Sequence, residues 1–231
     1  MAARAGGTLA AVADVTTPIE AARRDSPDRA PGRRGRATRR RLLDATAQLL
    51  ETNTYRDLKV VDIARTAGTS PATFYQYFAD VEEAVLALAE EVEADAGAAL
   101  GELVDGGWSG PDGWRHALAL ADGFIATWDR HRSVLRVIDL ATDEGDQRFR
   151  AVRTRMLGVP SEALVAVLEG RGEPLADARA EAGVLVSMLS HVAAHRAGLE
   201  QWGASEEGLR QSMARMVYVA VTGQSPPPSE G

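Results

Sequence analysis

The sequence predicts an all-α chain: an N-terminal three-helix helix-turn-helix domain that binds DNA, then a C-terminal helical bundle for ligand binding and dimerisation. Three observations carry the fold class. Hydrophobic residues make up 45% of the 231, the ordinary level for a chain with a packed core. Aromatic residues are only 5%, while alanine, the strongest helix former, is abundant, which favours packed helices over a sheet sandwich. Apolar residues recur at intervals of three and four, and no strand-like alternation is long enough to force a sheet.

Residues 1–35 lack a periodic apolar face and are interrupted by Pro18, Pro27, Pro31, Gly32 and Gly35. A disordered basic arm is expected there, running into Arg33, Arg34, Arg36, Arg39, Arg40 and Arg41. Order is expected from about Arg36. Leu42, Leu43, Thr46, Leu49 and Leu50 share a helical face and predict a first helix over about 37–52. Val61, Ile63, Ala64 and Ala67 mark a short second helix, closed by Gly68 as a left-handed cap. Ser70-Pro71 then combines a hydroxyl N-cap with proline at the first helical position, predicting a third helix over about 71–78. Asp80 with Glu83 three residues on resembles a capping box and opens a fourth helix reaching about residue 103. Its stripe of Val81, Val85, Leu88 and Val92 is spaced 4, 3 and 4.

A glycine-rich break at 105–112 precedes further helices over about 113–131, 133–142, 146–170, 175–201 and 205–222. Pro160 should kink or split the seventh. The proline-rich end, 224–231, is expected to be disordered. The expected divisions are therefore an arm at 1–35, a helix-turn-helix domain at 36–82, a ligand-binding and dimerisation domain at 83–223, and a tail.

Composition also excludes. No window approaches 18 consecutive apolar residues, so no membrane-spanning helix is expected. The opening MAARAGGTLAAVADVTTPIEAARR has no compact apolar run behind basic residues, so a cytoplasmic protein is expected. Without cysteine there is no disulfide frame, thiolate chemistry or thiol-ligated zinc. The charge is unevenly spread. Residues 1–41 carry ten Arg against Asp14, Glu20, Asp25 and Asp28, a balance of +6 that leaves −13 for the rest of a chain totalling −7. One basic end on an acidic body points to a polyanion met at that end only.

The second helix, the turn at Gly68 and the third helix together form a helix-turn-helix, whose second helix enters the DNA major groove. Ser70 and the free amides beside it can accept a phosphate, and Ala72 and Thr73 are short enough to let the helix approach the bases. Tyr75 and Tyr77 offer hydroxyls to phosphates, and Gln76 can pair with adenine. Phe74 and Phe78, four apart, should pack inward.

The stretch VDIARTAGTSPATFYQYF at 61–78 resembles the signature of TetR-family transcriptional regulators, as do the Arg-flanked helix before it and the Asp80–Glu83 entry after it. At motif level the resemblance covers about 36–90; beyond that it rests on length and helical pattern. It implies an all-α homodimer with three DNA-binding helices, a connecting fourth, and a C-terminal domain that binds a small ligand and dimerises through the last two helices. By position it makes Thr73 and Gln76 base-edge readers and sets Thr69, Ser70, Tyr75 and Tyr77 against backbone or bases. Thr38 and Arg39 would meet phosphate. Many members carry a lysine near the start of the fourth helix where this chain has Val81, so Arg33, Arg34 and Arg36 are expected to reach a neighbouring minor groove instead.

For the effector, Trp114, Phe124, Trp128, Phe149, Met156 and Met188 are the candidate pocket residues, which implies an apolar or amphipathic molecule. His191 and His195 have the spacing of two metal ligands but lack a third, so neither metal nor cofactor is assigned. No phosphate loop, Gly-x-Ser-x-Gly or cysteine nucleophile argues for catalysis. The expected partners are a palindromic double-stranded operator, a small apolar or amphipathic effector and a second copy of the chain, with no membrane. A repressor is expected. The alternatives are an activator or architectural DNA binder without ligand, and a helical enzyme or carrier with a vestigial helix-turn-helix.

Overall fold

A computed structural model describes residues 32–108, 110–171 and 177–227. The described residues fall into two units that divide between Ala37 and Thr38. Among the described residues there are eight α-helices and no strand: α1 (Arg33–Thr52), α2 (Val60–Thr66), α3 (Pro71–Phe74), α4 (Val81–Glu102), α5 (Gly110–Asp143), α6 (Gln147–Glu169), α7 (Ala178–Gln201) and α8 (Glu206–Thr222).

The first helix begins at Arg33, not near residue 37, so Arg33, Arg34 and Arg36 lie within a helix and not in an irregular arm. Arginine is a good helix former, and a run of it outweighs the roughly 1 kcal/mol that Gly35 costs. The rest of the expected arm, 1–31, and the tail residues 228–231 lie outside the described residues.

The local signals for α2 to α4 act through identifiable bonds. Gly68 takes φ +66°, and the amides of Gly68 and Thr69 donate to the carbonyls of Arg65 and Ala64 at 3.1 and 2.9 Å. That Schellman pattern ends α2 and needs the left-handed residue. Asp80 Oδ1 accepts from the Glu83 amide at 2.8 Å, and Glu83 Oε2 accepts from the Ala79 amide at 2.5 Å. Regular α-helix in α3 stops at Phe74, and residues 75–77 continue as turns, shorter than the expected 71–78. Val61, expected on the apolar face of α2, is half exposed.

Beyond α4, the two helices expected at 113–131 and 133–142 are both present, as the halves of α5 on either side of a kink at His131, where φ is −117° and ψ 18°. A similar break stands at His195 in α7. Helix α6 continues through Pro160 instead of splitting there. It lies so close to α4 that a Cβ on Gly101 would stand 2.6 Å from Val159 Cγ1.

Two apolar cores result. One joins α1, α2, α3 and the first half of α4 to Val134–Ala141 of α5 and the start of α6, centred on Leu42, Leu43, Phe74, Ile138 and Phe149. The other joins the end of α4 to early α5, late α6, α7 and α8. Trp128 and Leu157 pack against both. The helix-turn-helix therefore shares its core with the bundle, because Val134, Ile138 and Phe149 insert among its own leucines.

Candidate nucleic-acid interface and effector cavity

The helix-turn-helix presents a sorted set of side chains. Phe74 and Phe78 are buried at 5.6 Å ring separation and anchor α3 and the turn after it on the first core. The opposite face exposes Ala72, Tyr75 and Gln76, with Thr69 and Thr73 partly covered. Tyr75 is 59% exposed and stands edge-on to Phe74, so its hydroxyl is free to point away from the fold. Tyr77 is half-buried against the core. Ser70 caps α3: its Oγ accepts from the Thr73 amide at 3.2 Å and shares a hydrogen bond with Thr73 Oγ1 at 3.0 Å. The two hydroxyls thus hold each other in place on the outward face.

Arg39 and Arg40 on α1 converge on α4. Arg40 Nη1 donates to Glu91 Oε2 at 2.7 Å, and Arg39 Nη1 lies 3.7 Å from Glu91 Oε1. Arg39 also sits over the Phe78 ring at 5.4 Å, a cation–π contact that ties it to the end of the recognition segment. Hydrogen bonding to Asp44 holds the Arg40 guanidinium above its ordinary pKa, aided by the Glu91 charge. Arg41 Nη2 donates to Thr38 Oγ1 at 3.4 Å.

A small apolar cavity of about 60 Å³ lies between α5, α6 and α7. Of the six residues expected there, Phe124, Trp128 and Met156 line it. The other three face elsewhere. Phe149 is fully buried in the first core, Trp114 packs edge-on against Tyr218 at 5.7 Å, and Met188 packs on the second core. Periodicity shows which face of a helix is apolar but not which neighbour covers it. Asp139, Arg153, His191 and His195, which no apolar pattern marks, line the cavity instead. Arg153 Nε donates to Asp139 Oδ1 at 2.9 Å. The His191 and His195 rings stack at 4.1 Å, with His195 Nδ1 donating to the His191 carbonyl at 3.0 Å.

A larger cleft of about 1200 Å³, walled by α5, α7 and residues 50–55 at and just after the end of α1, shares Trp128, His191 and His195 with the cavity. Beside that cleft Asp129 takes hydrogen bonds from Arg132 and Arg196. Burial works to raise the Asp129 pKa, but these two guanidiniums outweigh it and hold the carboxyl below its ordinary value. His131, at the break in α5, is pushed down by burial and by Arg130, against the pull of Asp95. Among the described residues, no group of three or more His, Cys, Asp or Glu could hold a metal ion, and no helix is long and apolar enough to cross a membrane.

Two family models match the chain. That of bacterial regulatory proteins of the tetR family matches residues 42–88, and that of the tetracyclin repressor-like C-terminal domain matches residues 100–228, more than half of the chain. No curated protein matches. Solved structures do. A transcriptional regulator from Rhodococcus sp. Rha1 has TM-score 0.66 at 18% identity, covering 82% of this chain and 99% of that one. The fatty acid degradation regulator FadR from Bacillus halodurans has TM-score 0.60 at 18% identity, covering 80% and 94%. FadR from Bacillus subtilis in complex with stearoyl-CoA has TM-score 0.61 at 15% identity, covering 80% and 98%. At these identities the likeness is one of fold.

Proposed function

The chain belongs to the TetR family of DNA-binding transcriptional regulators, and we propose that it is a repressor that binds a palindromic operator as a homodimer and is released by a small apolar or amphipathic effector. The observation that carries the operator assignment is the sorting of the recognition segment. Phe74 and Phe78 are locked inward while Ala72, Thr73, Tyr75 and Gln76 are presented together outward. Thr73 and Gln76 read base edges, and Thr69, Ser70, Tyr75 and Tyr77 meet backbone or bases. Arg33, Arg34 and Arg36 add sequence-independent phosphate contacts.

A second copy pairs through α7 and α8. Val184 on α7 and Met216 and Val219 on α8 are exposed, and Trp202 just after α7 is 85% exposed. Apolar groups on the last two helices are what an isologous interface would bury. Two recognition helices then meet successive major grooves. The effector occupies the cleft of about 1200 Å³ that Trp128 also lines, because the 60 Å³ cavity beside it is too small for such a molecule, and stearoyl-CoA in the FadR structure from Bacillus subtilis supports an amphipathic molecule for a fold of this kind. It acts by preferring a state of the dimer with lower DNA affinity.

A footprint on the DNA upstream of the protein's own gene tests the proposal, repeated with amphipathic ligands. A protected palindrome that such a ligand unprotects is the expected result. A protein that protects no sequence there, or a footprint that every ligand leaves unchanged, overturns it in whole or in its effector part.

A further inference from the structure

We infer that the small cavity between α5, α6 and α7 is the seat for a short apolar group of about two to four carbons, joined directly to a polar amide or ester whose remaining body lies in the cleft. The inference rests on the effector assignment above and names the class of molecule: a short-chain acyl compound, not a long-chain one.

The cavity has two unlike sides. Leu100, Phe124, Leu135 and Met156 are buried and line the cavity but not the cleft. Trp128, Asp139, Arg153, Ala194, His191 and His195 line both. None of these six is buried, so the shared side is the one that faces solvent. An apolar group seated in the cavity meets hydrocarbon at its tip and polar side chains at its base. At that base Arg153 and Asp139 hold each other, and His195 uses Nδ1 on the His191 carbonyl, which leaves its other ring nitrogen as an acceptor. A methylene chain continuing past the rim would strip water from these groups and give them no partner in exchange, which is costly. An amide or ester at the same level pairs with them.

Volume sets the length. A dry cavity of about 150 Å³ holds benzene, with its six carbons, so one of about 60 Å³ holds roughly two or three, or four with small side-chain adjustments. The floor has little room to deepen. Behind Leu100 and Met156, α4 and α6 approach so closely that a Cβ on Gly97 would stand 3.3 Å from the Met156 carbonyl oxygen, and one on Gly101 would stand 2.6 Å from Val159 Cγ1. A longer chain would have to part these two helices. The floor also belongs to both cores. Leu135 and Met156 are part of the first, which contains the helix-turn-helix, and Leu100 and Phe124 are part of the second. An occupant therefore touches the DNA-binding core and the bundle core at once.

Isothermal titration with acetamide, butyramide, hexanamide and octanamide tests the length limit, with operator release measured on the same probes. Affinity should rise about four-fold per methylene as far as butyramide, the usual gain for burying each one, and then level off or fall. Met156→Ala and Leu157→Ala both enlarge the seat, and each should move the break to hexanamide or octanamide. Ala194→Leu, on the rim and outside the buried core, should abolish butyramide binding and leave the melting temperature unchanged. Affinity that climbs at the same rate through octanamide, no binding by any member of the series, or a break that neither enlarged variant moves would overturn the inference. The effector assignment fails separately. A break at butyramide without release of the operator supports the seat and removes its regulatory role. Release by octanamide and not by the shorter amides keeps an effector and overturns the short-chain assignment.

Discussion

Arg40 of α1 donates to Glu91 of α4 at 2.7 Å, and Arg39 completes the triad from 3.7 Å. Two cations beside the recognition segment are thus held back against the connecting helix. Glu91→Gln removes that tie to α4 and leaves Arg40 paired with Asp44 alone. Binding to operator should tighten, and the slope of log K against log salt should steepen by about 0.9 for each phosphate newly contacted. All three side chains are more than a third exposed, so stability should fall by no more than about 1 kcal/mol. Binding isotherms at several salt concentrations check this; a slope identical to the parent's would show that the arginines were never restrained.

Gln76 is exposed on the outward face, where it supports nothing in the core. Gln76→Ala should leave thermal unfolding unchanged while weakening operator binding by about 1–3 kcal/mol and relaxing discrimination at one base position. Binding to operator variants substituted at each position reads the loss. Tyr75→Phe, which deletes only a hydroxyl, should weaken all sequences alike.

What was legible in the sequence was local. Gly68, the Ser70-Pro71 pair and the Asp80–Glu83 box each work through bonds reaching at most five residues, so their spacing alone shows them. Phe74 and Phe78 could be read as inward because both belong to one short helical face. Contacts between distant segments left no such mark. Arg196 meets Asp129 from 67 residues away, and Arg56 of the turn after α1 pairs with Glu144 at the end of α5 from 88. Trp114, Phe149 and Met188 were apolar on the right faces, yet other helices cover them. The apolar floor and polar rim of the cavity come together only once the walls are assembled.

Phe74 is fully buried and holds the recognition segment to the first core. Phe74→Ala should cost about 3–5 kcal/mol, the usual range for deleting a buried ring. Because that core also contains Ile138 of α5 and Phe149 of α6, the loss should reach beyond the helix-turn-helix. Urea unfolding followed by circular dichroism should show one transition moved to lower urea. A separate early transition confined to the DNA-binding helices would show that the shared core does not couple them.

Gly101 leaves room for Val159, whose Cγ1 would stand 2.6 Å from an added Cβ. Gly101→Ala should force α4 and α6 apart and cost about 1–3 kcal/mol, even though alanine is the better helix former. Val159 is 47% exposed, so trimming it loses little burial. The double variant Gly101→Ala, Val159→Ala should therefore recover most of the loss. Additive destabilisation in thermal melts would place the strain elsewhere.

His131 carries the pH dependence expected nearest neutrality. Burial and the Arg130 charge hold its pKa below 6.5 in the folded chain, with Asp95 opposing them in part. Unfolding restores the ordinary value, so below about pH 6.5 the unfolded chain binds a proton that the folded chain refuses. Stability is therefore unaffected by this group above pH 6.5 and declines as pH falls towards the folded-state value. Asp129, also lowered, adds its own decline only below its ordinary value of 3.8. Between pH 7 and pH 5.5 the melting temperature of the parent should drop. His131→Asn, which cannot titrate and tolerates the φ −117°, ψ 18° backbone there, should show a flatter profile. Parallel curves for the two proteins across that window would assign the acid sensitivity to another group.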